Sequence, residues 1–473
     1  MQYSTSAWVN SEFDGIDLGD ERLNRRFKMI VVQLARHCGK TLASSFRQWK
    51  MIKASYRFFA NPKVSESEML APHIEQTVNR AREHDTVLLL QDSTYLDYNN
   101  RPKTEGLDLT FRSKLSKASE GLILHNTLAV TEDGIPLGLI DQTFIDRKSF
   151  SGKNFKEKRK IRHWNSPAHK KESIRWINVV RKSRQIDFGQ TQTIHVADRE
   201  CDMYEFYRDA VDLGENVLIR ASQNRSINKR YRRESPSCLL FDYLKAKKAQ
   251  GKVTITIQIN GKKKYRDAEL SIVYVPITMP PPPNKTINKD GSNLPMVPLC
   301  AIMAIERNPP KNQPGVLWVL LTNLDVHNID QAIEKVRWYS LRWNIEVFHK
   351  VLKSGCGVED AQLRHADRLK KYVVLKSIVA WRLFWLAKLH ESNKNHPCST
   401  VLSEIEWKLL YRKSMVTKNP PNKPPTVGEA VIWIAKLGGY IGRTSDPPPG
   451  IVSMWRGWQR LMDMVDDFCD ICG

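Results

Sequence analysis

The chain has 473 residues, more than one ordinary core uses, so two to four domains are expected. Lys and Arg total 74 against 51 Asp and Glu, a formal charge of +23, with 41% hydrophobic and 26% charged residues. That composition excludes a disordered chain, and a positive surplus of this size points to a polyanionic partner, nucleic acid before a membrane surface.

Eight cysteines in a chain this long do not make a disulfide framework. The one close pair, Cys469 and Cys472, lacks a second pair or a nearby histidine pair for zinc and reads as a frayed tail. No basic start followed by an apolar run marks a signal peptide, and the most apolar helical stretch, 372–389, is interrupted by Lys376, Arg382 and Lys388. A cytoplasmic protein without a membrane span is the expectation.

From Asp20 the pattern predicts a helix, with Leu23, Phe27, Ile30, Val31 and Leu34 at helical spacing and Gly39 as its stop. Arg22, Arg25, Arg26, Lys28 and Arg36 surround it, and a second basic helical stretch, 47–59, ends at Asn61-Pro62. Residues 1–65 therefore read as a small basic helical module. Residues 87–90 form a buried-strand run that delivers Asp92 at its end. Residues 122–130 and 135–145 read as a hairpin around Glu132-Asp133-Gly134. A loop at 147–171 carries ten Lys or Arg against one acid, Glu157. An amphipathic helix follows with Ile174, Ile177 and Val180, and then a strand, 193–197, delivers Asp198. This order suits an RNase-H-like α/β core.

Residues 225–325 have another character. Alternating strands at 253–259 and 268–275 flank Asn260-Gly261, a strong hairpin signal, and after the prolines at 280–283 come strands at 299–305 and 316–321. This reads as a β-rich insertion in a core spanning 66–375. Residues 376–473 are mostly helical, with a break at 418–426 and with Trp433, Trp455 and Trp458 to anchor a packed C-terminal domain.

Asp92 and Asp198 each follow an apolar strand, where α/β sheets gather their ligand sites, although an Asp there also caps turns. Residues 339–353 predict one continuous helix. At about 100° per residue, Tyr339, Arg342, Glu346 and Lys353 fall in an arc of roughly 60° beside an apolar arc of Trp338, Leu341, Ile345, Phe348 and Leu352. The spacing fits a site held beside a buried stripe. It fits equally an exposed face braced by Arg342–Glu346 and Glu346–Lys350 pairs.

The run at 339–355, YxxRWxIExFHKxxKxG, resembles the Y-R-E-K signature of bacterial insertion-sequence transposases of the DDE superfamily. It is nearest the hairpin-forming cut-and-paste group that includes the transposase of transposon five. Further fragments occur in the expected order along nearly the whole chain: Leu18-Gly19-Asp20, Tyr56-Arg57-Phe58, Asp92, Lys171-Glu172-Ser173, Asp198-Arg199-Glu200, Trp318, Leu437-Gly438-Gly439 and Trp455-Arg456-Gly457-Trp458. The resemblance implies metal-assisted phosphoryl transfer on double-stranded DNA, at transposon terminal inverted repeats and at a target. Asp92, Asp198 and Glu346 would be the catalytic acids and the ligands of two Mg²⁺ ions, with Mn²⁺ as a substitute. It implies strand nicking, hairpin formation and opening, and strand transfer. Tyr339, Arg342, Lys353 and Arg220 would position phosphates. Trp318 stands 28 residues before Glu346, where the family has a tryptophan that takes an extruded base. A homodimer in the DNA complex, with helical N- and C-terminal domains for DNA and partner, completes the expectation. Its rivals are a DNA-binding regulator that does not cut and a nuclease of the same core.

Overall fold

Asp20, in extended backbone, accepts the Arg22 N–H with its side chain, and the helix it caps buries Phe27, Ile30, Val31 and Leu34 completely. This is α2 (Glu21–Arg36), preceded by α1 (Thr5–Glu12) and followed by α3 (Trp49–Ala60) and α4 (Glu66–Ala81). The computed structural model that contains them describes residues 5–111, 119–146, 173–228, 239–258, 265–282, 292–311, 313–392, 394–417, 419–443 and 446–472. The basic loop at 147–171, the Asn260-Gly261 turn and the end of the proline-rich loop lie outside these residues. The fold is mixed α/β. The chain forms two compact units, one of Met1–Ala81, Ser93–Ser151 and Asn344–Gly473, the other of Arg82–Asp92 and Gly152–Trp343.

The second unit is built on strands. The early part of β1 (Thr86–Asp97) pairs in parallel with β5 (Gln192–Ala197), and β5 pairs in parallel with β6 (Asn216–Arg220). Two helices, α5 (Ile174–Ser183) before β5 and α6 (Tyr204–Leu213) between β5 and β6, have their apolar sides buried in the same core. Gly214 ends α6 at φ +69, a left-handed cap that glycine adopts without a Cβ penalty. Past the short α7 (Leu240–Lys245), an antiparallel run continues the sheet: β7 (Gly251–Gln258), β8 (Tyr265–Met279), β9 (Val297–Ile305) and β10 (Leu317–Thr322). It joins the parallel strands where Leu320 of β10 pairs with Arg220 of β6. The β-rich stretch therefore extends one sheet within this unit. The unit ends in α8 (Ile329–Ser340), capped by the Asn328 side chain.

The first unit holds the hairpin of β3 (Ser119–Thr131) and β4 (Pro136–Ile145), with β2 (Asp108–Phe111) on β3. Gly134 takes φ +82 in the turn, as the Glu132-Asp133-Gly134 pattern requires. After α9 (Trp343–Lys350) comes α10 (Ala366–Ser392), whose Trp381 donates its indole N–H to the Pro136 carbonyl at 3.0 Å. Lys376 of α10 is fully buried, and its ammonium donates to the carbonyls of Cys38 and Lys40 at 2.6 and 3.0 Å. Three helices finish the unit: α11 (Glu404–Met415) and α12 (Val427–Leu437), each opened by a capping box, and α13 (Ile451–Cys472). The two glycine motifs of this region meet in one crossing. A Cβ on Gly457 would sit 1.7 Å from the Ile434 carbonyl oxygen, and one on Gly438 would sit 1.8 Å from that of Ser453. The tail expected to fray is helical to Cys472 because α13 buries Trp455, Trp458 and Leu461 along one side. No described helix is long and apolar enough to cross a membrane.

One buried ion pair ties this unit together. Glu12 of α1 accepts from both terminal nitrogens of Arg80 in α4, at 2.9 and 3.0 Å, and lies 2.6 Å from His73 Nδ1. The Leu139 N–H donates to His73 Nε2 at 3.0 Å, which leaves the proton on Nδ1 to be donated to Glu12. Burial holds His73 neutral by lowering its pKa. Burial alone would raise the Glu12 carboxyl, but the His73 hydrogen bond and the Arg80 charge carry it down from 4.5 to about 2. A carboxylate with a depressed native pKa stabilises above its unfolded value and loses that contribution as pH falls through the native one. Between pH 4.5 and about 2 the protein should therefore lose about 2–3 kcal/mol from this residue. Glu12→Gln should melt lower than wild type at pH 7, with the gap closing over that window. Parallel melting curves for both proteins from pH 7 to pH 2.5 check this, and a gap that persists unchanged at pH 2.5 contradicts it.

Candidate active site

Strand register sets the first two acids side by side. The β1–β5 ladder pairs Thr86 with Gln192 and runs to Leu90 with Val196, a constant offset. Carried two residues further, that register brings Asp92 level with Asp198, and the alternation of side chains puts both on the face of Leu90 and Val196. Neighbouring strands lie about 4.8 Å apart, so both carboxylates can share one ligand. Asp92 differs from expectation in one respect. It sits inside β1, which runs on to Asp97, because Ser93–Asp97 continues as a strand of the first unit. Asp198 does end its strand. Its Oδ1 accepts the Glu200 N–H at 2.9 Å and caps the short turn Arg199–Cys201, so the capping role that sequence left open is real and occupies one oxygen.

On the opposite face a buried network joins the same two strands. Gln91 Nε2 lies 2.8 Å from His195 Nδ1, and His195 Nε2 lies 2.9 Å from the Ser183 hydroxyl, with Glu215 at 3.4 Å. Sequence reasoning passed over these residues. A polar residue at an inward position of an apolar strand, as Gln91 and His195 both are, is the signal that could have found them.

Five expected site residues converge in the second unit. Arg220 closes β6 and donates to the Leu317 carbonyl at 2.9 Å and to the Tyr339 hydroxyl. Burial raises the Tyr339 phenol, against the opposing charges of Arg342 and Arg220, with Asp198 near enough to add to the rise. Burial likewise lowers Arg220, with Arg199 and Arg342 adding their repulsion. Trp318 packs edge-on against Tyr339, with ring centroids 5.1 Å apart at 72°. It is half-buried, whereas Val319, Leu320 and Leu321 after it are buried, so it is not a core tryptophan.

The continuous helix expected over 339–353 does not form. Leu341 and Arg342 make a turn between α8 and α9, their N–H groups reaching back to Trp338 and Tyr339 at 3.1 Å, one residue short of the α-helical partner. After Lys350 a π-helical turn, Val351–Gly355, follows, closed by the Cys356 N–H on the Val351 carbonyl at 2.8 Å. The arc computed for Tyr339, Arg342, Glu346 and Lys353 is therefore not one helix face. The apolar stripe survives better: Trp338, Ile345, Phe348 and Leu352 are buried, and Leu341, in the turn, is only half-buried. Glu346 lies on α9, half-buried, and Lys353 in the π turn has its ammonium 3.8 Å from Glu359.

Among the described residues no three His, Cys, Asp or Glu side chains form a metal-binding group. Asp92 and Asp198 nonetheless supply oxygen donors of the type Mg²⁺ and Mn²⁺ take, and such a cation needs only one or two protein carboxylates when substrate phosphates complete its shell. The pair fits that requirement.

The N-terminal helices present a different surface. Arg22, Arg25, Arg47, Lys50, Lys53 and Arg57 are exposed, and Trp49 at the start of α3 is 65% exposed with the Lys53 ammonium 5.2 Å from its ring centre. Exposed cations beside an exposed aromatic are the equipment of a nucleic-acid surface. Residues 5–64 match the transposase DNA-binding family, and residues 378–469 match the transposase Tn5 dimerisation domain. These two domains, one toward each end of the chain, support a Tn5-like transposase.

Proposed function

We propose that this transposase cuts transposon ends and joins them to target DNA by metal-assisted phosphoryl transfer at Asp92, Asp198 and Glu346, on an RNase-H-like core carrying a β-rich insertion. The observation that supports the reading is the β1–β5 register from Thr86–Gln192 to Leu90–Val196, which, carried two residues further, would set Asp92 level with Asp198 on one face. The DNA-binding and dimerisation domains supply what the reaction needs around that site, a grip on DNA and a second subunit to pair two ends. We assign residues 1–65 to end binding, 66–375 to catalysis and 376–473 to dimer contact.

Asp92 and Asp198, with Glu346 as the third acid, would hold Mg²⁺ or Mn²⁺ at the site. Bound there, two such ions lower the pKa of the attacking water or 3′-hydroxyl and neutralise charge on the leaving oxygen. The protein's own part is positioning. Arg220 donates to the Tyr339 oxygen, which frees the phenol O–H, kept protonated by burial, to donate to a phosphate oxygen. Arg342, in the turn beside Tyr339, adds a positive charge to the same spot, and Lys353, in the π turn, is assigned to phosphate positioning by its place in the motif. Water attacks first to nick one strand. The freed 3′-hydroxyl then attacks the opposite strand to form a hairpin, water reopens it, and the same 3′ end finally attacks the target.

Asp92→Ala, Asp198→Ala and Glu346→Ala should each abolish Mg²⁺-dependent cleavage of an end duplex while leaving its binding within a few-fold of wild type, since phosphate contacts to basic groups supply most affinity. Gel assays of binding and cutting on the same DNA decide this. Wild-type cutting by any one variant removes that residue from the site, and wild-type protein that binds without cutting is a regulator.

Trp318 is assigned to the hairpin step. A hairpin bends DNA sharply, and an extruded base loses stacking worth about 1–3 kcal/mol that an aromatic face can return. Half-buried beside Tyr339, the indole is accessible enough to take that base. Trp318→Ala should nick at near wild-type rate yet form hairpins at least about 10-fold more slowly, a loss of that stacking term. An abasic nucleotide at the extruded position should restore much of the rate. Equal loss of nicking and hairpin formation would place Trp318 in the general architecture instead.

A further inference from the structure

Two consecutive buried residues in the middle of β3 hold polar groups on two other elements. The His125 ring Nδ1 lies 2.9 Å from the Ser93 hydroxyl, and the Asn126 side-chain amide donates to His349 Nε2 at 3.0 Å. Ser93 directly follows Asp92 in β1, and His349 stands three residues after Glu346, one turn along α9. Both His125 and Asn126 are 0% exposed and His349 is 6% exposed, so these bonds are made in the dry interior of the first unit. A strand otherwise buried along nearly its whole length places polar side chains where apolar ones would pack, and a polar atom buried there is costly unless it is bonded.

We propose that His125 and Asn126 are a positioning pair for catalysis, with the Asn126–His349 bond fixing the axial position and rotation of α9, and so of the Glu346 carboxylate. The proposal rests on the reading of Asp92 and Glu346 as catalytic acids. Its geometry is specific. Burial keeps the His349 imidazole neutral by lowering it to about 3, and the Asn126 donor selects the tautomer in which Nε2 is the unprotonated acceptor. The α9 helix needs such a pin because it is only eight residues long, with a turn before it and a change to π-helical bonding after it. Apolar packing of Ile345 and Phe348 seats the helix against the core but resists sliding and rotation less sharply than a directed hydrogen bond does. Ser93–His125, one residue back along β3, ties the chain after Asp92 to the same strand.

The test separates positioning from folding. Replacing only one member leaves the other polar group buried and unsatisfied, whereas the Asn126→Leu/His349→Leu double variant replaces both by apolar groups and restores the match. We expect the double variant to melt within a few degrees of wild type and to bind an end duplex taken from the DNA flanking the coding sequence equally well. Its single-turnover cleavage should fall about 100-fold, the loss a displacement near 1 Å brings. Amide exchange over Trp343–Lys350 should rise at the same time. His349→Gln, which keeps an acceptor near the Nε2 position, should cut far faster than His349→Leu. Wild-type cleavage and unchanged α9 exchange in the double variant would overturn the proposal. Equal single-turnover rates for His349→Gln and His349→Leu would do the same, and that comparison stands even if the double variant does not fold. Glu346→Ala serves as the control. If it cuts normally, the assignment of the acid fails, whereas a dead Glu346→Ala beside a fully active double variant sinks the positioning role alone.

Discussion

The constant offset of the β1–β5 pairing is the constraint on which the site depends. A strand has a side-chain period of two, so a slip of one residue would send Asp92 to the other face and break its alignment with Asp198. Apolar runs such as Val87 to Leu90 and Ile194 to Ala197 cannot resist such a slip by packing alone, since both strands are buried over this stretch. The Gln91–His195–Ser183 chain can, because its hydrogen bonds are satisfied in one register and would be left buried and unmade in the next. Polar residues inside the sheet thus hold the register of the strands that lead to Asp92 and Asp198.

Charge is arranged by the same logic of what burial permits. The exposed cations of α2 and α3 lie on the side away from Phe27, Ile30 and Phe58, where water screens their mutual repulsion until a polyanion replaces it. Near Asp198, Arg220 and Arg342 are partly buried, and with the exposed Arg199 they repel strongly enough to lower Arg220 further once burial has begun to. A cluster of like charges that lowers one member's pKa is poised to gain from a phosphate, because the anion relieves repulsion the apo protein already bears.

Much of this was legible in sequence where one pattern had one physical meaning. The cap and stripe of α2, the Glu132-Asp133-Gly134 turn, the helix around Ile177, and the strands ending at Asp198 and Arg220 all follow from local rules. The length of β1 did not, because the residues after Asp92 (Ser93, Thr94, Tyr95) are strand only through pairing with distant chain. Helix α4 was overlooked because Pro72 interrupts a weak pattern, although Ser65 and Glu68 cap it reciprocally. The alignment of the two acids was invisible for a deeper reason: it is a property of register, and register is fixed by partners about a hundred residues away.

The break at Leu341–Arg342 carries the last consequence. Periodicity at 339–353 satisfies a helix throughout, and nothing local forbids one, so tertiary demand chose the turn. A continuous helix would tie the orientation of Tyr339 to that of Glu346 through one rigid rod, and any error in seating the long α8 segment would be passed to the acid. With the ladder interrupted, Tyr339 is oriented by Arg220 and Trp318, and Glu346 by the seating of α9 through Ile345, Phe348 and His349. The turn also takes Arg342 out of a helix interior and leaves its side chain half-buried beside Tyr339. The run at 339–353 thus spans a joint between α8 and α9 and presents no single helical face.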